Sequence, residues 1–348
     1  MTLTGKRTMA RRAPWIVQWS QYLAARMAAA ALTSFDVESN LRTASAMGRW
    51  LYRVDGRHRR RAAGHLKLAF PELCSSQRRE LCERSFEHFV QLVVEICHTQ
   101  RLIHLDSWAS RTRLLNLGSS VRLLNSGKPL IFVTGHAGNW EVLGYIMALL
   151  GYPVYALFRP LDNEPLNRWL VEIRQRKGLH LVTKWNATQR MHDILRDGGA
   201  LGFIADQNAG DKGVFVPFFG RLASTYKSIG LLAIREQVPI VCGYGHRMAE
   251  DFRFELGAED IIRPEDWANR DDPLYYVTAR YMRAIENIVR RRPYQYLWMH
   301  RRWKSRPRHE RAGQPMPTSL RRSLEELPWM DDRMLRRLQM PVPQNLEP

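Results

Sequence analysis

Acidic residues are scarce in this 348-residue chain: 34 Asp and Glu against 53 Lys and Arg leave a formal charge of +19. Arginine far outnumbers lysine. Such a surface favours acidic partners: nucleic acid, anionic lipid headgroups or an acidic carrier protein. Cysteine is sparse too. Cys74, Cys82, Cys97 and Cys242 form no C-x-x-C pair and no metal-type Cys/His spacing, which points to a reduced cytoplasmic protein with structural thiols. Cys97 precedes His98, an order that suits a thiol nucleophile, but it lies in "FEHFVQLVVEICH", whose helical apolar spacing reads as core. There is no internal repeat, and no window of about 20 residues is free of polar groups. The most apolar N-terminal stretch, "APWIVQWSQYLAARMAAAALTSF", contains Gln18, Ser20, Gln21 and Arg26, and an arginine at mid-bilayer is costly. It reads as an amphipathic helix with Trp15, Ile16, Trp19, Leu23 and Met27 on one face, lying on a membrane or packed on the protein's own core.

What is present is a globular composition, 45% hydrophobic and 10% aromatic, long enough for one large α/β domain or two smaller ones. Residues 1–115 read as a mostly helical region, with i, i+3, i+4 patterns on either side of the basic segment "DGRHRRRAAGHLKLAF". From residue 116 the texture changes. Short apolar runs ("PLIFVT", "PVYALF", "LHLVT", "ALGFIAD", "GVFVPFF", "PIVCGY", "DFRFELG") alternate with helical segments at 162–178, 186–197, 223–237 and 271–292. Residues 116–307 therefore read as an α/β domain, its sheet largely buried and flanked by helices. Residues 308–348 read as a loosely ordered Pro- and Arg-rich tail.

The chemistry concentrates in "TGHAGNWE", at the carboxyl end of the first strand of that domain, where open α/β sheets place ligands. Five helical residues correspond to about 500° of rotation, so His136 and Glu141 can pair only if the histidine precedes the helix and the glutamate lies in its first turn. Gly135 and Gly138 loosen such a turn, and Asn139 is a suitable N-cap. An imidazole held by a carboxylate on one nitrogen offers the other as a general base. No Ser or Cys nucleophile stands beside it. The expected chemistry is direct activation of a substrate hydroxyl, with N–H groups of the helix start facing a developing oxyanion. The order and spacing exclude an H-E-x-x-H zinc site, and no metal or cofactor is expected. The bland alternative is a hydrogen-bonded turn histidine beside a glutamate that the helix dipole favours.

Four further segments follow in order: "FRPLDN", "ADQ", "VPFFGRLAST" and "YLWMHRRWKSRP". With "GHAGNWE" they resemble the bacterial lipid A biosynthesis acyltransferases, the late lauroyl and myristoyl transferases, a branch of the lysophospholipid acyltransferase superfamily. The likeness runs over roughly residues 40–307 and takes in "NLRTASAMGRWLYRV" and "HLKLAFPEL". It implies a glycerolipid-acyltransferase-like α/β fold and an O-acyltransferase. His136 would be its base and Glu141 the orienter, with acyl carrier protein or coenzyme A carrying the thioester and a phosphorylated lipid A precursor as acceptor. Arg159 would bind a phosphate or developing negative charge. Asp206 and Gln207 would position substrate or its neighbours, or cap the buried rim. Phe218 and Phe219 would line an acyl channel or pack the core. Thr225 would contact the acceptor or cap the next helix. His300, Arg301, Arg302 and Lys304 would meet headgroup phosphates or form a solvated basic face.

The net charge then suits an anionic inner-membrane surface, and the weakly hydrophobic N-terminus suggests a peripheral protein on its cytoplasmic face. A phosphatidylinositol mannoside is the alternative acceptor, since its acyltransferases share the motif set. A nucleic-acid-binding protein, suggested by the arginine runs 57–61, 290–292 and 301–308, leaves the His136 turn unexplained and lacks any helix-turn-helix, zinc or RNA-recognition signature. No nucleic-acid partner is expected.

Overall fold

The computed structural model describes residues 14–339 except 159, 176–177, 184–186 and 250. Four helices come first: α1 (Trp15–Thr33), α2 (Val37–Val54), α3 (Gly56–Ala69) and α4 (Ser75–Leu102). The Asp36 side chain caps α2 by accepting the Ser39 N–H at 2.7 Å. Its buried positions Val37, Leu41, Ala44 and Gly48 recur with helical spacing and pack on α4. Gly48 is required there, because a Cβ would stand 2.4 Å from the Glu87 backbone.

α1 is turned inside out. Gln18, Tyr22, Ala25 and Ala29 form its half-buried stripe, whereas Trp15 (69% exposed), Ile16, Trp19, Leu23 and Met27 (67%) face solvent.

After α5 (Trp108–Arg111) the chain enters the sheet with β1 (Thr112–Leu115), then α6 (Gly118–Asn125), β2 (Leu130–Thr134), α7 (Trp140–Leu149), β3 (Val154–Phe158), α8 (Glu164–Gln175), β4 (His180–Thr183), α9 (Ala187–Arg196) and β5 (Ala200–Ile204). A hairpin of β6 (Val214–Phe218) and β7 (Arg221–Thr225) leads to α10 (Lys227–Glu236), β8 (Ile240–Arg247), β9 (Phe254–Ile262), α11 (Pro264–Trp267) and α12 (Pro273–Arg291). Three short helices follow: α13 (Arg308–Arg311), α14 (Thr318–Glu325) and α15 (Asp332–Gln339).

Seven strands form one sheet in the order β1-β9-β8-β2-β5-β3-β4, parallel except for the antiparallel β8–β9 pair. α9 and α12 pack against β5, β8 and β9, and α7 packs against β3 and β8. The expected α/β class with a buried, helix-flanked sheet and a helical N-terminal region is what forms.

Three details differ from expectation. The sheet begins before residue 116, because β1 pairs with β9. "GVFVPFF" joins the separate hairpin. Residues 308–339 are folded rather than loose: Leu324, Leu327 and Leu338 enter the main core. Leucines recurring among the arginines of α14 and α15 supply the apolar faces that bind them there.

Candidate active site

β2 and β5 run parallel in a register that pairs Thr134 with Ile204. Two residues beyond those ends, His136 and Asp206 come side by side. His136 Nδ1 lies 2.7 Å from Asp206 Oδ1, and the His136 backbone N–H donates to Oδ2 at 2.9 Å. An ionised carboxylate only accepts, so Nδ1 is the donor to Asp206, and Nε2 is the nitrogen left to take a proton when the ring is neutral.

Burial alone would raise the Asp206 carboxyl. The charge and hydrogen bonds of His136, with a smaller effect of His300, outweigh it and hold the group well below the usual carboxylate range. The Tyr296 hydroxyl is pushed well up, first by burial and then by the Asp206 charge. Trp140 and His300 set their rings edge-on to His136, at centroid distances of 4.8 and 4.6 Å.

This overturns the expected orienter. Glu141 does lie in the first turn of α7, as the spacing required, but both its oxygens accept from the Arg174 guanidinium of α8. The place beside Nδ1 belongs to Asp206, which the adjacency of β2 and β5 delivers. Asn139 behaves as expected, its Oδ1 accepting the Val142 N–H at 2.9 Å. Gly138 adopts φ +64°, and a Cβ on it would meet the Gly245 carbonyl oxygen at 2.2 Å. Glycine at this point lets the turn press against β8.

The remaining candidates divide. Arg159 lies outside the described residues. Gln207 is exposed at the rim. Thr225 is wholly buried and does not cap α10; its Oγ1 accepts from Arg302 Nη2 at 2.7 Å. Arg302 is itself 1% exposed and also donates to the Ser224 carbonyl at 2.5 Å. Both are interior groups that tie β7 to the segment after α12, not groups that reach a headgroup. Phe218 and Phe219 are core residues, Phe219 packed near Phe70 and Trp298 and Phe218 near Trp303.

Burial, with the nearby His136 charge, pushes His300 down to about 4. Its ring lies edge-on to that of His136. Arg301 is half-buried, and Lys304 alone of this run is exposed. α3 abuts the same segment: His65 Nδ1 lies 2.9 Å from the Trp298 carbonyl, and Arg61 donates to that of Met299. Among the described residues, no three His, Cys, Asp or Glu side chains converge as a metal site.

Sequence reasoning missed a buried group behind the turn. Glu95 of α4 accepts from Arg247 Nη1 at 2.6 Å and from Asn139 Nδ2 at 2.8 Å. Its signal was legible: His88, Gln91, Glu95 and His98 recur with helical spacing inside an apolar helix, and all four are buried.

A model of the family described as bacterial lipid A biosynthesis acyltransferase matches residues 7–305. The chain is 27% identical over 251 residues to the lipid A biosynthesis palmitoleoyltransferase of Escherichia coli (strain K12), covering 71% of this chain and 78% of the relative. Identity to the lipid A biosynthesis myristoyltransferase of the same organism is 24% over 267 residues, covering 75% and 79%. For its lauroyltransferase it is 24% over 246 residues, covering 70% and 78%. With that match spanning the sheet and the turn that carries His136, the chain belongs to the bacterial lipid A biosynthesis acyltransferase family.

Proposed function

We propose that the protein transfers a fatty acyl chain from a thioester, on acyl carrier protein or coenzyme A, to a hydroxyl of a phosphorylated lipid A precursor. The carrying observation is the His136–Asp206 pair at the carboxyl ends of adjacent parallel strands. His136 Nε2 takes the proton of the acceptor hydroxyl, and the oxygen attacks the thioester carbonyl. Asp206, kept ionised, steadies the imidazolium. N–H groups at the start of α7 face the tetrahedral oxyanion. Collapse breaks the C–S bond, and the imidazolium returns its proton to the departing thiolate. A neutral His300 places no competing charge against the imidazolium. All three relatives above are named for lipid A, which favours that acceptor over a phosphatidylinositol mannoside.

The protein works at the inner membrane as a peripheral protein on its cytoplasmic face. No described helix is long and apolar enough to cross a bilayer. The outward tryptophans of α1 suit the interface between headgroups and chains, and the +19 charge suits anionic lipid.

An assay crossing acyl carrier protein and coenzyme A thioesters of several chain lengths with lipid A precursors and phosphatidylinositol mannoside tests the reading. Transfer to lipid A precursor that disappears in His136→Ala is the expected result. Near-normal turnover in that variant, or transfer to the mannoside alone, overturns it.

A further inference from the structure

The turn that carries His136 is held from behind by groups with no access to substrate. The Asn139 N–H donates to the Gly245 carbonyl at 2.6 Å, and the Gly138 N–H to that of Gln295 at 2.8 Å. The Leu297 N–H returns a bond to the His136 carbonyl at 3.1 Å. The Gln295 side chain in turn accepts from the Arg247 N–H and donates to the Arg247 carbonyl, at 3.0 and 2.9 Å. At the centre stands a wholly buried ion pair. Glu95 and Arg247 are 0% and 1% exposed, and Asn139 gives its amide to the free Glu95 oxygen.

Three segments far apart in sequence, α4, the end of β8 and residues 293–297, thus meet at one four-residue link. A buried ion pair is a poor way to add stability, since apolar side chains of the same volume generally do as well. Burial pushes the Glu95 carboxyl up, against the pull of Arg247 and Asn139. What such a pair supplies that apolar contacts do not is direction. One Glu95 oxygen is committed to Arg247, which leaves the other to fix the Asn139 amide. The opposite end of Asn139 then fixes the start of α7.

We propose that Glu95 and Arg247 are positioning residues, which act through Asn139 to keep the His136 imidazole on Asp206. The effect on turnover rests on the acyl-transfer reading; the effect on the imidazole does not.

The test exchanges hydrogen-bond polarity. Asn139→Asp keeps a good N-cap but sets carboxylate against carboxylate, and Glu95→Gln sets amide against amide. The double variant restores a donor and an acceptor. Asn139→Ser keeps the cap oxygen and simply cuts the link to Glu95.

Each single variant is expected to lower kcat at least tenfold, with KM for donor and acceptor within about twofold. The double variant should recover to within about threefold of the parent. Proton NMR of the protein carrying 15N-labelled histidine reads the His136 Nδ1 proton directly, and this resonance should move or broaden in the singles and return in the double. Singles that are folded, with parental kcat and an unmoved resonance, overturn the proposal. So does a double variant no better than the singles. If the parent protein transfers no acyl chain at all, the acyl-transfer reading fails and the resonance alone decides the positioning role.

Discussion

One carboxylate serves two parts of the same residue: Asp206 Oδ1 holds the His136 ring at 2.7 Å while Oδ2 holds the His136 N–H at 2.9 Å. The ring and the backbone that carries it therefore move together, and removing the charge loosens both. Asp206→Asn is expected to lower kcat by about 10²- to 10⁴-fold, the range for loss of an oriented general base. Steady-state turnover of purified protein checks it, and an Asp206→Asn variant that keeps more than about a tenth of parental kcat would contradict it.

Glu141 is expected to act through Arg174 rather than through the base. Glu141→Gln and Arg174→Ala should each lower turnover without moving the acid limb of the pH–rate profile, and the double variant should be no worse than the poorer single. A limb displaced by Glu141→Gln but not by Asp206→Asn would restore the glutamate as orienter.

Gly138→Ala should cost several kcal/mol, because it combines a left-handed φ with a Cβ that overlaps the Gly245 carbonyl. Thermal melting measures this directly. Gly151, also left-handed at φ +88° but with nothing near its Cβ position, separates the two causes: Gly151→Ala carries the strain without the clash and should cost clearly less.

How much of this was legible in the sequence depends on whether the cause was local. The Asn139 cap, the first-turn position of Glu141 and most helices follow from residues within a few positions of one another. The His136–Asp206 pair does not, because it depends on β5 inserting between β2 and β3, and strand order is set by packing of whole helices on the sheet. Its only trace is that both residues stand two places beyond the end of an apolar run. "HRRWKSRP" misled for a different reason: charge was taken as exposure, whereas Trp298 and Trp303, nearly fully buried, mark a segment folded inward with Arg302 among them.

Arg302 and Lys304 should accordingly behave differently. Arg302→Ala leaves the Ser224 carbonyl and Thr225 hydroxyl without their buried donor and is expected to destabilise the fold by about 3–5 kcal/mol. Lys304→Ala, on an exposed side chain, should stay within about 0.5 kcal/mol. Chemical denaturation of the two variants makes the comparison.

Acid should weaken the fold before it reaches any carboxylate. Burial holds His246 down to about 3 and, with His136 nearby, His300 down to about 4, from an ordinary 6.5. Between those values the unfolded chain binds protons that the folded chain refuses, so stability falls as pH drops below about 6.5, by about 1–2 kcal/mol per such group at pH 5. Asp206 works in the same direction at lower pH. Its depressed carboxyl supports the fold above the ordinary carboxylate range, and that support is lost progressively as pH falls from there through its folded value. Melting temperatures at pH 7.5 and 5 for the parent and for His246→Phe test this; the variant should show the shallower slope.

On the proposed function, the outward tryptophans of α1 carry a kinetic consequence. A lipid acceptor diffuses in two dimensions, and an enzyme seated beside it searches a plane instead of a volume. The encounter rate is then governed by how many acceptor molecules occupy each patch of bilayer, not by their bulk concentration. Turnover should therefore fall when a fixed amount of acceptor is spread through more inert lipid or detergent.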